Sequence, residues 1–149
     1  MRTGTAAAVI VGALALVLLL VTAWAARERA EFAPRPFSDV DAALAAGGIA
    51  VCAVADAPDP YANQAVASRT LTIASDCAAS DRTGDRAQVL VDRFDDVDDR
   101  DAAVRAHEVL LRPRGSGVSY TFGELSLLLR GDTPTVERAG DALTAAGAR

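Results

Sequence analysis

Residues 6 to 26, AAAVIVGALALVLLLVTAWAA, contain no charge, and no other stretch limits the chain's options so strictly. As a helix the run would extend about 31 Å at ~1.5 Å per residue, matching the hydrocarbon core of a bilayer. It is apolar on all sides and is followed at once by RERAEFAPRP, so a buried helix of a globular domain fits it poorly. Trp24 suits a membrane interface. The competing reading is a cleaved signal peptide, with Arg2 as the n-region and Ala23-Trp24-Ala25 as an A-x-A site. The apolar run is longer than the usual h-region of about 7–15 residues. The expectation is therefore an uncleaved transmembrane helix or signal anchor over 6–26, after a short tail at 1–5.

Two observations about orientation conflict. Arg2 and the amino terminus lie on one side, against Arg27, Arg29 and Arg35 on the other. Taken literally, the positive-inside rule puts the C-terminal part in the cytoplasm. Cys52 and Cys77, both beyond the apolar run, suit an oxidising compartment if they are bridged. The reading adopted is an extracytoplasmic C-terminal domain on a single-pass protein of the cytoplasmic membrane.

Residues 27–37, RERAEFAPRPF, form a linker in which Pro34 and Pro36 discourage helix. The remaining 38–149 suffices for one domain with one core. All fifteen basic residues of the 149-residue chain are arginine, which fits the codon usage of a GC-rich, actinobacterium-like genome. A formal charge of −5 argues against duplex nucleic acid as a partner, since phosphate binding needs a clustered positive face. Two cysteines are too few for a disulfide scaffold or a four-ligand zinc site.

Within the domain, IAVCAVA (49–55), SRTLTIAS (68–75), AQVLVDRF (87–94), VSYTF (118–122) and ELSLLLR (124–130) read as strands. Helices are expected from Ser38 to Gly47-Gly48, from Asp95 through Leu111, and from Thr133-Pro134 onward. Alternation in the strands indicates a mostly antiparallel sheet with helices on one face. The expected fold class is α+β, a small two-layer α/β sandwich, loosely ferredoxin-like.

The run FDDVDDRD (94–101) has five aspartates in eight positions. FSDVDAAL (37–44) shares its form, a Phe, then Ser or Asp, then Asp-Val-Asp, then an alanine-rich helix. The repeat points to helix starts, with Ser38 and Asp95 as N-caps and the later acids favoured by the helix dipole. A calcium EF-hand loop fails: counting from Asp96, the sixth position is Asp101 instead of glycine and the twelfth is His107 instead of glutamate. Asp101 and Arg105, four apart, are expected to pair on the outer face.

Cys52 and Cys77 are expected to bridge adjacent strands, worth roughly 3–4 kcal/mol by loop closure; the alternatives are buried thiols or, despite the missing C-x-x-C spacing, a redox pair. His107 reads as a surface or boundary residue, because Leu111 breaks H-E-x-x-H. In RPRGSG (112–117), Arg112 and Arg114 are weak candidates for anion binding beside the commoner reading of a polar turn. Tyr61 is a weak binding candidate in the loop ADAPDPYANQA (55–65). Arg130-Gly131-Asp132 reads as a turn.

An N-terminal anchor, a proline-bearing linker and a small domain with two cysteines resemble the plan of many actinobacterial envelope proteins. That resemblance covers organisation only. The sequence thus leads to a non-enzymatic membrane-tethered module, without cofactor or metal, binding an envelope protein or a ligand. The alternatives are a domain secreted after cleavage, or an enzyme using Asp92, Asp95 or Asp98.

Overall fold

A computed structural model describes residues 3–83, 85–111 and 117–149; the side chains of 3–11, 28–30, 82 and 83 are not described. Helix α1 (Thr3–Glu31) belongs to one compact unit, Met1–Ala33, and the domain to a second, Pro34–Arg149. Among the described residues no helix is long and apolar enough to cross a membrane. The membrane-spanning helix expected over 6–26 is therefore not supported.

The domain contains α2 (Phe37–Ala46), β1 (Ala50–Ala55), β2 (Ala67–Ala74), α3 (Cys77–Thr83), β3 (Ala87–Arg93), α4 (Val97–Leu111), β4 (Gly117–Phe122), β5 (Leu125–Gly131) and α5 (Thr133–Ala145). The five strands form one antiparallel sheet in the order β1-β2-β3-β5-β4. The class is α+β, as the alternation required. Because β5 lies antiparallel between β3 and β4, the unit β3-α4-β4 is a split β-α-β. The ferredoxin-like plan has two such units around its sheet; here β1 and β2 are antiparallel neighbours instead.

The period-two pattern decides which side chains share a face. Leu71, Ile73, Val89, Val91, Leu125, Leu127 and Leu129 meet Val40 and Leu44 of α2 and Val136 and Leu143 of α5 in the main core. Each fully buried Leu or Ile there contributes about 1.5–3 kcal/mol. The alternate residues, Leu90, Asp92, Ser126 and Leu128, lie on the opposite face, where α4 packs against β4 and β5. Helices thus cover both faces, which corrects the two-layer expectation. The helix α4 turns Arg100, Ala103 and His107 inward.

Helix α3 was not expected. Asp76 starts it, its Oδ1 accepting from the backbone N–H of Ala78 and Ala79 at 2.8 and 3.1 Å. The cap of α4 is Asp96, not Asp95: its Oδ1 accepts from Asp98 and Asp99 N–H at 2.8 and 3.3 Å. Helix α2 begins one residue before Ser38, with Pro36 at the cap position and no side-chain cap. Helix α5 begins at Thr133, with Pro134 in its first turn and Asp132 capping Thr135. Asp101 accepts from its neighbour Arg100, instead of pairing with Arg105 as expected. Arg100 is held inside by that contact and by donating to the carbonyl of Gly123.

A disulfide joins Cys52 and Cys77, whose Cα atoms are 5.4 Å apart. Cys52 sits where the β1–β2 register slips between Val51 and Ala53. Such a bulge takes a residue out of the ladder and re-aims its side chain, here towards the first residue of α3.

Candidate functional site

The most unusual chemistry lies between α4 and the sheet. Strand β3 reads AQVLVDR, and period two places Gln88, Leu90 and Asp92 on the α4 face. Asp92 is therefore carried into an interior by a strand whose Val89, Leu90 and Val91 demand burial. Its side chain is wholly shielded, and neither carboxylate oxygen meets a partner in hydrogen-bond geometry, although the Ser68 hydroxyl and the Asp59 carboxyl stand close beside it. His107 reaches the same layer because it lies four residues beyond Ala103 on the inner stripe of α4. Asp59 comes from the loop before β2. One of its oxygens, Oδ1, accepts from Tyr61 N–H at 2.8 Å, an Asx turn that fixes the Asp-Pro-Tyr segment.

The other oxygen of Asp59, Oδ2, lies 2.8 Å from His107 Nε2. On the far side of the ring, His107 Nδ1 faces Ser126 Oγ at 3.5 Å. Asp59, Asp92 and His107 each offer one ligand-capable atom, and all three atoms lie within 4.8 Å of one another. Burial pushes the Asp92 carboxyl up to about 7; the Ser68 hydroxyl opposes that shift and the neighbouring Asp59 adds to it. The neutral acid is favoured because an ionised carboxylate in a low-dielectric interior loses its hydration.

Ser126, His107 and Asp59 lie in a row like a nucleophile, a base and an orienting acid. The 3.5 Å contact is too long to activate the hydroxyl, and Ser126 and His107 have no solvent exposure. The row is a buried polar network linking β5, α4 and the loop.

Beside it opens a cavity of about 640 Å³. Leu90 and Leu128 of the sheet and Leu110 and Leu111 of α4 give it an apolar lining, with Arg86 and Arg130 on its wall. Arg130 donates to Gln88 Oε1 at 3.0 and 3.2 Å; no acidic group among the described residues pairs with it in a salt bridge. Arg86 is engaged by Asp81 and by Ser80 Oγ. Asp59 is the one acid on the described wall.

Of the residues singled out from sequence, Tyr61 lines this cavity and is 49 % exposed. Arg112 and Arg114 lie outside the described residues. Asp95 and Asp98 are exposed on the surface near the start of α4, away from the cluster, whereas Asp92 is inside it. His107 is not a surface or boundary residue: it is completely buried. Two signals in the sequence could have revealed the cluster. One was an aspartate directly after the apolar run Val89-Leu90-Val91 of a strand; the other was a histidine on the same helical stripe as Ala103. Nothing local marked Asp59 as their partner. Comparison with protein-family models, curated proteins and solved structures finds no match.

Proposed function

We propose that this domain is a non-enzymatic binding module for a small amphipathic anion, held at the outer face of the cytoplasmic membrane by the apolar stretch 6–26. One observation supports it most: an apolar cavity with an arginine on its wall that lacks a carboxylate partner. A volume of about 640 Å³ is in the usual range for small-ligand sites, roughly 300–1,000 Å³, where a few placed polar groups set orientation. The leucines would hold a hydrocarbon body. Arg130 would take a carboxylate or phosphate, since guanidinium matches either in a forked geometry. Tyr61 would close over the ligand at the rim. Binding is favoured over catalysis because the wall presents no accessible nucleophile–base pair.

Location rests on two features. The Cys52–Cys77 disulfide suits an oxidising compartment. Leu14, Leu18 and Trp24 of α1 are exposed, each at 64 % or more, and a helix apolar on every side favours lipid over water.

The test is calorimetric titration of the full-length protein with decanoate and decyl phosphate, with decanol as uncharged control. Saturable binding of the anions, weakened about tenfold in Arg130→Gln, is expected, since a charge-assisted hydrogen bond is worth about 1.5–3 kcal/mol. Equal affinity for decanol, or no effect of Arg130→Gln, overturns the anion reading. Recovery of the full-length chain in the soluble fraction of washed lysate overturns the tether.

A further inference from the structure

Asp92 presents a problem that the binding cavity does not solve. Buried polar groups are almost always hydrogen-bonded, and an orphaned one calls for a physical account. Asp92 is fully buried with both oxygens unpartnered, yet it stands within 4.8 Å of two other ligand-capable atoms. The 2.8 Å approach of His107 Nε2 to Asp59 Oδ2 adds a second constraint. Two lone pairs cannot face each other so closely; a proton or a cation must lie between them. When the ring proton is on Nδ1, donated towards Ser126 Oγ, the Nε2 lone pair is directed at the aspartates.

We infer that Asp59, Asp92 and His107 form a binding site for a single divalent transition-metal cation of the zinc type. The donor set is one imidazole and two carboxylates, which suits Zn²⁺ better than the all-oxygen shells of Ca²⁺ or Mg²⁺. Around a tetrahedral Zn²⁺, with bonds of about 2.0–2.2 Å, ligand atoms stand roughly 3.3–3.5 Å apart. The separations here bracket that value, from 2.8 Å between His107 and Asp59 to the 4.8 Å limit for the set. A small side-chain adjustment closes the site. The dication cancels the two carboxylate charges and gives the Asp92 oxygens a partner. Ser126 would orient the imidazole from behind, as residues around metal ligands commonly do. Asp59 also borders the cavity, so the cluster lies directly behind that wall. The ligands come from a loop, a strand and a helix, so the metal would tie three segments together.

This inference is independent of the amphipathic-anion reading, because its readout is metal binding. Full-length protein is stripped with a chelator, dialysed and titrated with Zn²⁺ by calorimetry, and with Co²⁺ by visible absorption. One saturable equivalent per chain is expected, with a rise in melting temperature and a Co²⁺ spectrum showing imidazole ligation. Asp92→Asn and His107→Gln, which keep side-chain size, are expected to lower the affinity at least about tenfold. Asp98→Asn, on the exposed acidic run, is expected to leave it unchanged. No stoichiometric binding overturns the site. Binding that survives Asp92→Asn, or that falls with Asp98→Asn instead, also overturns it by placing the ion on the surface aspartates. Circular dichroism of each variant confirms that a lost site is not a lost fold.

Discussion

The imidazole Nε2 of His107 and the carboxylate Oδ2 of Asp59 stand 2.8 Å apart across 48 residues of sequence, and both side chains are shut away from water. Through this contact the inner face of α4 holds the loop that carries Tyr61 along one wall of the cavity. The position of that wall therefore depends on a residue outside the cavity lining.

Replacing His107 by Ala leaves Asp59 and Asp92 buried together without the imidazole. Removing one partner of a buried hydrogen-bonded pair leaves the other unsatisfied and costs about 1–3 kcal/mol. A urea midpoint lowered by a corresponding amount is the expected result. The double variant with Asp59→Asn should lose less than the two single losses combined, because the groups act as one unit. Strict additivity in that cycle contradicts the coupling.

The buried carboxyl of Asp92, pushed up to about 7, sets a direction for pH dependence in the metal-stripped protein. Its neighbours are Ser68 on β2, Ser126 on β5, His107 on α4 and Asp59 in the loop. The folded state keeps the Asp92 proton at a pH where the unfolded chain, with a carboxyl pKa of about 3.9, has released it. The native state then binds more protons than the unfolded state, so stability falls as pH rises. This contribution is fully present below about pH 4 and is lost as pH passes about 7. Asp92→Asn should flatten that part of the stability–pH curve and gain on the wild type at pH 8. An unchanged slope in denaturant unfolding at pH 5, 6, 7 and 8 counts against a neutral Asp92.

The Cys52–Cys77 disulfide closes a sequence separation of 25 residues. In the chain-entropy model such a loop is worth about 3–4 kcal/mol. The Cys52→Ser/Cys77→Ser double variant should lose stability on that scale, and the wild type should shift mobility on reduction in a denaturing gel. Free labelling of both thiols in untreated protein excludes the bridge.

Asp96 and Asp95 are adjacent and chemically identical, but only Asp96 has a capping oxygen on the first turn of α4. Asp96→Ala is expected to cost about 1 kcal/mol and Asp95→Ala close to nothing. Equal losses in thermal unfolding refute the assignment of the cap.

Gly131 ends β5 with φ +132°, and a Cβ there would lie 2.6 Å from the Arg86 carbonyl oxygen and 2.7 Å from Ala87 Cα. Both obstacles are backbone. Gly131→Ala should therefore destabilise by about 1–3 kcal/mol, the range for strained backbone sites. A melting temperature equal to that of the wild type is the contrary result.

The elements with strong local patterns were readable in advance. Leu71 and Ile73, or Leu125, Leu127 and Leu129, announce a strand with one buried face through period two alone. Thr133-Pro134 announces the first turn of α5 in the same local way. The short helix α3 was hidden because its seven residues, CAASDRT, show no apolar stripe; its start depends on the Asp76 cap. Identical side chains concealed which of Asp95 and Asp96 would do the capping, since the choice rests on where the backbone enters the first turn of α4.

Sequence by itself determined the strand and helix alternation, the charge-free stretch over 6–26 and the α+β class, because these follow from covalent order and side-chain period. Only the tertiary structure decided that α4 covers the second face of the sheet, and that Asp59, Asp92 and His107 meet behind it. Those three groups belong to a loop, a strand and a helix, and no local rule connects them. Their distance is set when the sheet order β1-β2-β3-β5-β4 and the packing of α4 bring remote segments into one dry layer, where the cost of burying charge makes each group depend on the others.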